Sequence, residues 1–148
     1  MSRRSAAVII GPIKWLGIAL LLLGLPAGAE TGRYPPGSVL LFVASWCAPC
    51  HAELARLPAI ARGARPFRVL VVPFDDSPAT RSMLDAVPEA QRWRPEREMQ
   101  RQLARALRAE TSGLPFSMAV DGDGRECGSA RLGLDAARAE ALVAGCVR

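Results

Sequence analysis

The sequence predicts an α/β domain in which helices flank a central mixed sheet, with the element order β-α-β-α-β-β-α. Three observations support this fold class. A continuous apolar run is followed by apolar residues at helical spacing, a second apolar run comes next, and a tight turn joins two strands near the carboxyl terminus. With 148 residues, 50% of them apolar, the chain can bury one ordinary core but is too short for two full domains.

The first part of the domain has a strand-helix-strand pattern. Val39–Ala44 is continuously apolar, as in a strand buried on both faces of a sheet. A helix is predicted from Pro49 to Ala61, and a second strand from Phe67 to Phe74, which ends at the turn-forming pair Asp75-Asp76. The apolar residues at helical spacing are Leu54, Leu57 and Ile60.

The middle of the chain predicts a helical stretch in two pieces. Ser77-Pro78 supplies a capping residue and a first-turn proline before a helix over Thr80–Val87. Pro95 opens a second helix that stops at Thr111-Ser112-Gly113. On this helix an apolar stripe (Met99, Leu103, Leu107) predicts a core face, and the interleaved arginines (Arg97, Arg101, Arg105, Arg108) predict a solvated face.

The last part of the chain predicts a hairpin and a helix. Strands over Phe116–Asp121 and Arg125–Leu132 are joined by the turn Asp121-Gly122-Asp123-Gly124, so they should be antiparallel neighbours. The terminal helix runs from its capping Asp135 to Gly145.

Residues 1–29 have the pattern of a targeting segment. A basic start at Arg3 and Arg4 is followed by an apolar run from Trp15 to Leu25 and by Ala27-Gly28-Ala29 as a cleavage site, which leaves Glu30 as the new amino terminus. The alternative is an uncleaved membrane anchor. Both interpretations place the rest of the chain in the periplasm, either soluble or tethered to the inner membrane, with a loop over residues 30–37 and a domain over 38–148.

Charge and cysteine content narrow the function classes. Outside residues 1–29, sixteen arginines face fourteen acids, and this small excess does not favour a nucleic-acid partner. An oxidising compartment keeps thiol pairs as disulfides, so four cysteines predict two pairs. Sequence order alone allows three connectivities; the short spacing of Cys47 and Cys50 singles out that pair and leaves Cys127 with Cys146.

The first pair lies at the predicted strand-to-helix junction. There the unpaired amides and the positive end of the helix dipole stabilise a thiolate, which makes Cys47 the expected nucleophile. Cys50 lies one turn further along the helix, close enough to close a disulfide and to release a partner trapped on Cys47.

These residues carry a family resemblance. The stretch Phe42-Val43-Ala44-Ser45-Trp46-Cys47-Ala48-Pro49-Cys50 resembles the active-site segment of the thioredoxin superfamily, and Cys47 to Glu53 is similar to the exported thioredoxin-like reductases of cytochrome c maturation. The resemblance implies a thioredoxin-like fold over most of residues 38–146. It also implies that Glu53 manages the proton of the second cysteine, although an acid here could simply favour the first helical turn.

The resemblance implies further site residues. Gly113-Leu114-Pro115-Phe116 matches the place where the superfamily carries a cis-proline facing the dithiol. Pro115 is therefore the expected cis-proline, and the backbone of Leu114, together with Trp46, is expected to bind the substrate segment. No cofactor is implied.

The chain also departs from the family pattern. Cytosolic thioredoxins bury an aspartate six positions before the first active cysteine, where this chain has Leu41. No amino-terminal strand is evident in the predicted domain, and the helical stretch from Ser77 to Glu110 is long. Proton handling should therefore differ from that of cytosolic thioredoxins, and these departures give no basis for transferring a specific partner from one relative.

Three alternatives use the same residues. Cys47-x-x-Cys50-His51 is the attachment motif of a c-type haem, for which Met83, Met99 or Met118 would have to supply the distal ligand. A zinc site would need four clustered ligands, which the wide spacing of the second pair does not provide. A redox-inactive domain could keep the fold as a binding surface. The strand before the motif and the hairpin after it favour the redox pair, with His51 a helix residue beside it.

The second pair is predicted to be a structural disulfide. The last strand climbs about 20 Å and the terminal helix returns about 18 Å, so Cys127 and Cys146 should finish close together. A second redox pair that relays electrons to the first is the alternative.

Together these inferences predict an exported thiol-disulfide oxidoreductase. Its expected partners are protein substrates with thiols or disulfides and an upstream membrane or periplasmic redox protein. By resemblance alone, it is expected to act as a reductant, because the Cys-x-x-Cys spacing does not fix a reduction potential.

Overall fold

The computed structural model describes residues 33–110 and 113–147. The predicted targeting segment and the first residues of the predicted loop, 30–32, lie outside the described residues. Within the described ranges, no helix has the length and apolar character needed to cross a membrane.

The sheet has four strands in the spatial order β2-β1-β3-β4. The strands are β1 (Ser38–Val43), β2 (Arg68–Pro73), β3 (Phe116–Val120) and β4 (Glu126–Ala130). β1 pairs in parallel with β2 and antiparallel with β3, and β3 pairs antiparallel with β4. The predicted mixed sheet is thus confirmed, with each strand one or two residues shorter or shifted at its ends.

Within the described residues, five α-helices flank the sheet. They are α1 (Ala48–Ala55), α2 (Leu57–Gly63), α3 (Pro78–Asp85), α4 (Arg97–Glu110) and α5 (Ala136–Ala144), and a 3-10 turn covers Glu89–Gln91. All six residues of β1 are buried, so both faces of the sheet are covered at its centre. This burial accounts for the unbroken apolar run.

The prediction of one helix from Pro49 to Ala61 was wrong, because the chain breaks it into α1 and α2. Arg56 leaves the helical conformation at φ −104° and ψ 7°. Pro58 lies in the first turn of α2 and has no N–H to donate, and in a continuous helix its ring would collide with the carbonyl of Leu54. The proline therefore starts a new helix.

The middle helices differ from prediction at their ends. Ser77 caps α3 as predicted, since its hydroxyl accepts from the N–H of Thr80 at 3.1 Å, but α3 ends at Asp85 rather than Val87. The 3-10 turn was not predicted. It leads into Trp93, whose N–H donates to the carbonyl of Val71 at the edge of β2. Leu103 and Leu107 are buried, as the stripe predicted, and Met99 is partly buried.

The hairpin and α5 follow the sequence signals. Asp121 Oδ1 accepts hydrogen bonds from the N–H groups of Asp123 and Arg125, both at 2.9 Å, and Gly124 has φ 79°. Asp135 caps α5 by accepting from the N–H of Arg138 at 2.8 Å.

Candidate functional site

The dithiol segment and the Pro115 segment, which carry the resemblance, lie at one end of the sheet. Cys47 lies four residues beyond the carboxyl end of β1 and is the N-cap of α1. Phe42 of β1 pairs with Phe116 of antiparallel β3, so the amino end of β3 lies beside the carboxyl end of β1. Pro115, directly before Phe116, is therefore at the same end of the sheet as the dithiol.

The two active-site sulfurs form a disulfide of 2.02 Å. Cys47 Sγ accepts a hydrogen bond from the N–H of Cys50 at 3.2 Å, so it occupies the place of a capping oxygen at the start of α1. Cys47 is 3% exposed, whereas Cys50 is fully buried with its sulfur 3.8 Å from the carbonyl oxygen of Phe42. A thiolate on Cys47 would gain both the amide contact and the helix dipole.

Glu53 lies on the buried face of α1, one turn beyond Cys50. Its Oε1 accepts from the N–H of Leu134 at 2.6 Å. Its Oε2 is buried and has no hydrogen-bond partner among the described residues. Burial raises the pKa of Glu53, and the Leu134 hydrogen bond and the charge of Arg56 offset only part of that effect. Glu53 is thus a buried acid that can hold or accept a proton near Cys50.

Trp46, directly before Cys47, is the exposed aromatic residue at the edge of the site. Its indole is 61% exposed and packs edge-on against Phe74 with ring centroids 6.0 Å apart. Its Nε1–H donates to Asp75 Oδ2 at 2.8 Å. Partial burial acts to raise the pKa of Asp75, but hydrogen bonds from Ser77, Thr80 and Trp46 outweigh it and hold the pKa below its usual range. The charged Asp75 therefore fixes the indole beside the dithiol.

A buried hydroxyl, which the sequence analysis missed, anchors the loop before the dithiol. Thr80 on α3 is fully buried, and its Oγ1 accepts from the N–H of Ser45 at 3.0 Å. The Ser77 hydroxyl lies 3.0 Å from the same oxygen. The capping signal at Ser77 marked the start of α3, but nothing in the sequence indicated that Thr80 would reach a residue 35 positions away.

His51 is on the exposed side of α1. Its Nε2 lies 2.8 Å from the carbonyl oxygen of Ser45, so that nitrogen carries the hydrogen and donates it. A c-type haem would need this imidazole as a ligand and Cys47 and Cys50 as thioether links. Here both sulfurs are in a disulfide and the imidazole holds the loop, which favours the redox pair over the haem attachment motif.

The Leu114–Pro115 peptide bond is cis. Gly113 before it has φ 142°, in the region that favours glycine. Leu114 and Pro115 are half-buried. Leu41, in place of the aspartate of cytosolic thioredoxins, is fully buried in β1.

The second pair forms a disulfide between Cys127 at the start of β4 and Cys146 just after α5, with Cα atoms 5.3 Å apart. Cys127 lies opposite the end of β3 that is remote from Phe116. The intervening residues of β3 span about 10–13 Å, so the two disulfides cannot exchange directly without a large rearrangement. Within the described chain, no group of three or more cysteine, histidine or acidic residues is placed to hold a metal ion.

Comparisons with known proteins return matches among solved structures only. No family model and no curated protein sequence matches the chain. Tryparedoxin II from C. fasciculata has a TM-score of 0.46 at 19% identity, over 61% of this chain and 61% of its own. MTB DsbF, described in mixed oxidised and reduced forms, has a TM-score of 0.49 at 21% identity, over 72% and 81%. Tryparedoxin I from Crithidia fasciculata has a TM-score of 0.40 at 24% identity, over 62% and 67%.

The chain spans about three fifths of the length of the tryparedoxin II structure. The strand order, the dithiol after β1 and the cis-proline before β3 reproduce the arrangement that the resemblance implies. The fold is thioredoxin-like.

Proposed function

We propose that this protein is an exported thiol-disulfide oxidoreductase that reduces disulfides in protein substrates through Cys47 and Cys50. The observation that carries the proposal is the asymmetry of the pair. Cys47 is the N-cap of α1, its Sγ accepts the N–H of Cys50, and 3% of the residue is exposed, whereas Cys50 has no exposed surface. A sulfur stabilised by the amino end of a helix suits attack, and a fully buried one suits resolution.

The proposed reaction starts from the reduced pair. The Cys47 thiolate attacks one sulfur of a substrate disulfide, forms a mixed disulfide, and releases the other substrate sulfur as a thiolate. The Cys50 thiolate then attacks Cys47 Sγ, re-forms the Cys47–Cys50 disulfide, and releases the second substrate sulfur. Two electrons pass from the pair to the substrate, whose two thiolates take up protons. An upstream dithiol protein returns two electrons to the oxidised pair.

Glu53 has the proposed role of proton acceptor for Cys50. The thiol of Cys50 must lose its proton before it can attack the mixed disulfide, and it is buried away from water. Burial brings the pKa of the Glu53 carboxyl closer to the pKa of a thiol. Its Oε2 accepts no hydrogen bond from the described groups and can take up the proton. Trp46 and the backbone of Leu114, at the same end of the sheet as the dithiol, are proposed to hold the substrate segment.

The segment from Cys47 to Glu53 supports a place among the exported thioredoxin-like reductases of cytochrome c maturation. The targeting pattern in residues 1–29 supports a periplasmic location, with or without a membrane tether.

Two cysteine variants test the exchange reaction. Cys50→Ser should accumulate a stable mixed disulfide when the reduced protein meets a disulfide substrate, because the resolving sulfur is gone. Cys47→Ser is the matched control and should trap nothing, since the remaining sulfur is buried. Non-reducing gels and intact mass would measure the adducts. Equal trapping by both variants, or by neither, contradicts the assigned roles.

The direction of electron flow has its own test. The purified protein is equilibrated with glutathione buffers of known potential, and free thiols are counted. A reductant should have a potential near that of thioredoxin, about −270 mV, whereas an oxidant would approach about −120 mV. The second outcome reverses the proposed direction and keeps the exchange chemistry.

A further inference from the structure

An open groove of about 480 Å³ begins beside Trp46, at the edge of the dithiol site. One wall consists of Phe74, Asp75 and Asp76, of which the first two contact the Trp46 indole. One face of α4 forms the other wall. The side chains of that face are Arg97, Gln100, Arg101, Ala104, Arg105 and Arg108.

The groove has an excess of positive charge. Of its four arginines, only Arg101 makes an ion pair among the described side chains, with Glu98 at 2.6 Å. Arg108 lies over the ring of Phe74, 5.3 Å from the centroid, so its charge stays in the groove. Arg97 and Arg105 are exposed. On the opposite wall Asp76 pairs with Arg81, and Asp75 accepts the Trp46 N–H but stays charged, so the four arginines remain in excess.

The spacing of the arginines matches an extended peptide. Arg97 and Arg105 lie eight residues apart on one helix face, which is about 12 Å along the axis. An extended chain covers that distance in about four residues, and side chains four positions apart point to the same side. Two acids at positions i and i+4 of a peptide would therefore meet these two arginines together.

We propose that this groove binds an acidic, extended segment of the substrate protein next to the cysteine under attack. The proposal rests on the proposed function and names its substrate class, disulfide-bearing proteins with acidic flanking sequence. Trp46 joins the two sites, because it directly precedes Cys47 in the chain and its indole contacts Phe74 and Asp75 of the groove wall. A segment held there keeps its disulfide near Cys47 Sγ, and the positive field speeds encounter.

The test compares two peptides that differ only in charge. Each carries one cysteine as a mixed disulfide with 2-thiopyridine. Each side of this cysteine has a pair of test residues spaced four positions apart. The test residues are glutamates in one peptide and glutamines in the other. The full-length reduced protein attacks the peptide sulfur, and the released thiopyridone is followed by absorbance. Cysteine-free versions of the peptides, labelled for fluorescence anisotropy, measure binding to the oxidised protein without any chemistry.

The groove variant is Arg97→Gln with Arg105→Gln. The matched control is Arg125→Gln, an exposed arginine in the hairpin turn at the opposite end of the sheet. The wild type should prefer the acidic peptide about fivefold at low salt, in rate and in affinity. The groove variant should bring this ratio close to one, and the control should keep most of it. High salt should reduce the wild-type ratio in the same direction.

The outcomes separate the two proposals. Since each ratio is taken within one variant, a general loss of activity or of folded protein cancels. A wild-type ratio near one in binding, or equal ratios in the groove variant and the control, would overturn the groove proposal. Preferential binding of the acidic peptide with no thiopyridone release would uphold the groove and overturn the exchange function.

Discussion

Glu53 is held in the core by one hydrogen bond, from the N–H of Leu134 to its Oε1. Gly133 lies against the same carboxyl, where a Cβ would be 3.6 Å from Oε1, so the residues before α5 form a wall around it. A buried charge with one oxygen unbonded is costly. Ionisation of Glu53 therefore destabilises the folded protein, so its protonation is coupled to folding.

This coupling gives a pH prediction. Because burial raises the folded-state pKa of Glu53 above its ordinary value of 4.5, the folded protein holds a proton that the unfolded chain releases. The contribution of Glu53 to the free energy of unfolding should thus be fully present below about pH 4.5 and fall as pH rises through the raised pKa. The loss is at most about 1.4 kcal/mol per pH unit.

Glu53→Gln removes this titration and keeps an oxygen for Leu134. Urea unfolding of the oxidised wild type and variant between pH 4 and 8 measures the difference. The variant should gain stability relative to the wild type as pH rises. Parallel pH profiles would show that Glu53 titrates as an ordinary surface acid.

Thr80 gives a second prediction at the scale of single residues. Thr80→Val keeps the shape of the side chain but removes the acceptor of the Ser45 N–H, and it should lower the free energy of unfolding by about 1–2 kcal/mol. Thr80→Ser keeps the hydroxyl and should lose about 1 kcal/mol or less. Denaturant titration compares them. A valine variant at least as stable as the serine variant would mean that the hydroxyl does not anchor the loop.

Residues close in sequence were the predictable part of the site. Cys47, Cys50 and Glu53 are joined by the spacing of one helix, so their placement on α1 follows from local geometry. The contacts of Trp46 with Asp75 and of Ser45 with Thr80 cross 29 and 35 positions. Such contacts depend on how α3 packs, which no local pattern encodes.

At the scale of elements, Gly63 marks the place where α2 packs closely against α5, and among the described glycines it leaves the least room for a side chain. A Cβ on Gly63 would lie 2.0 Å from the carbonyl oxygen of Ala136, in the first turn of α5. The two backbones touch because position 63 has no side chain. This contact fixes the distance between the helix that follows the dithiol and the helix that follows the hairpin.

Gly63→Ala should therefore destabilise the protein. Alanine favours a helix by at most about 1 kcal/mol, but displacement of α5 should cost more, for a net loss of about 1–3 kcal/mol. Gly122→Ala is the control, since its Cβ would meet nothing within 4 Å, and it should change stability by less than about 0.5 kcal/mol. Thermal and urea unfolding measure both. A neutral Gly63→Ala would show that α5 shifts freely.

Element order was predictable because each element has a continuous local signal, whereas element ends were less so. Asp121 and Asp135 marked a turn and a cap correctly, since both act on neighbouring amides. The single predicted helix followed the spacing of Leu54, Leu57 and Ile60 and ignored Pro58. The proline breaks that helix into α1 and α2. The 3-10 turn has local hydrogen bonds, from the N–H groups of Gln91 and Arg92, and a tertiary one from Trp93 to Val71 of β2 that no local pattern announces.

At the scale of the whole molecule, the two disulfides have separate places. One lies at the carboxyl end of β1, and the other ties β4 to the end of α5 at the opposite end of the sheet. We therefore expect the second to stabilise the fold without taking part in exchange.

Replacing Cys127 and Cys146 together with serine tests this separation. The double variant should lose about 3 kcal/mol of stability, from the loop entropy of a bridge that spans 19 positions. Its thiopyridone release rate should stay within about twofold of the wild type. A tenfold slower variant that is still folded by circular dichroism would instead indicate a relay between the pairs.

The edge of β2 has a consequence for self-association. The carbonyl of Val71 already accepts from Trp93, the carbonyl of Pro73 accepts from the side chain of Gln100, and Pro73 has no N–H to offer. A strand from a second molecule would find few bonds to make along this side of the sheet. The segment around Trp93 and the start of α4 thus keep the apolar sheet from growing by edge-to-edge addition at β2.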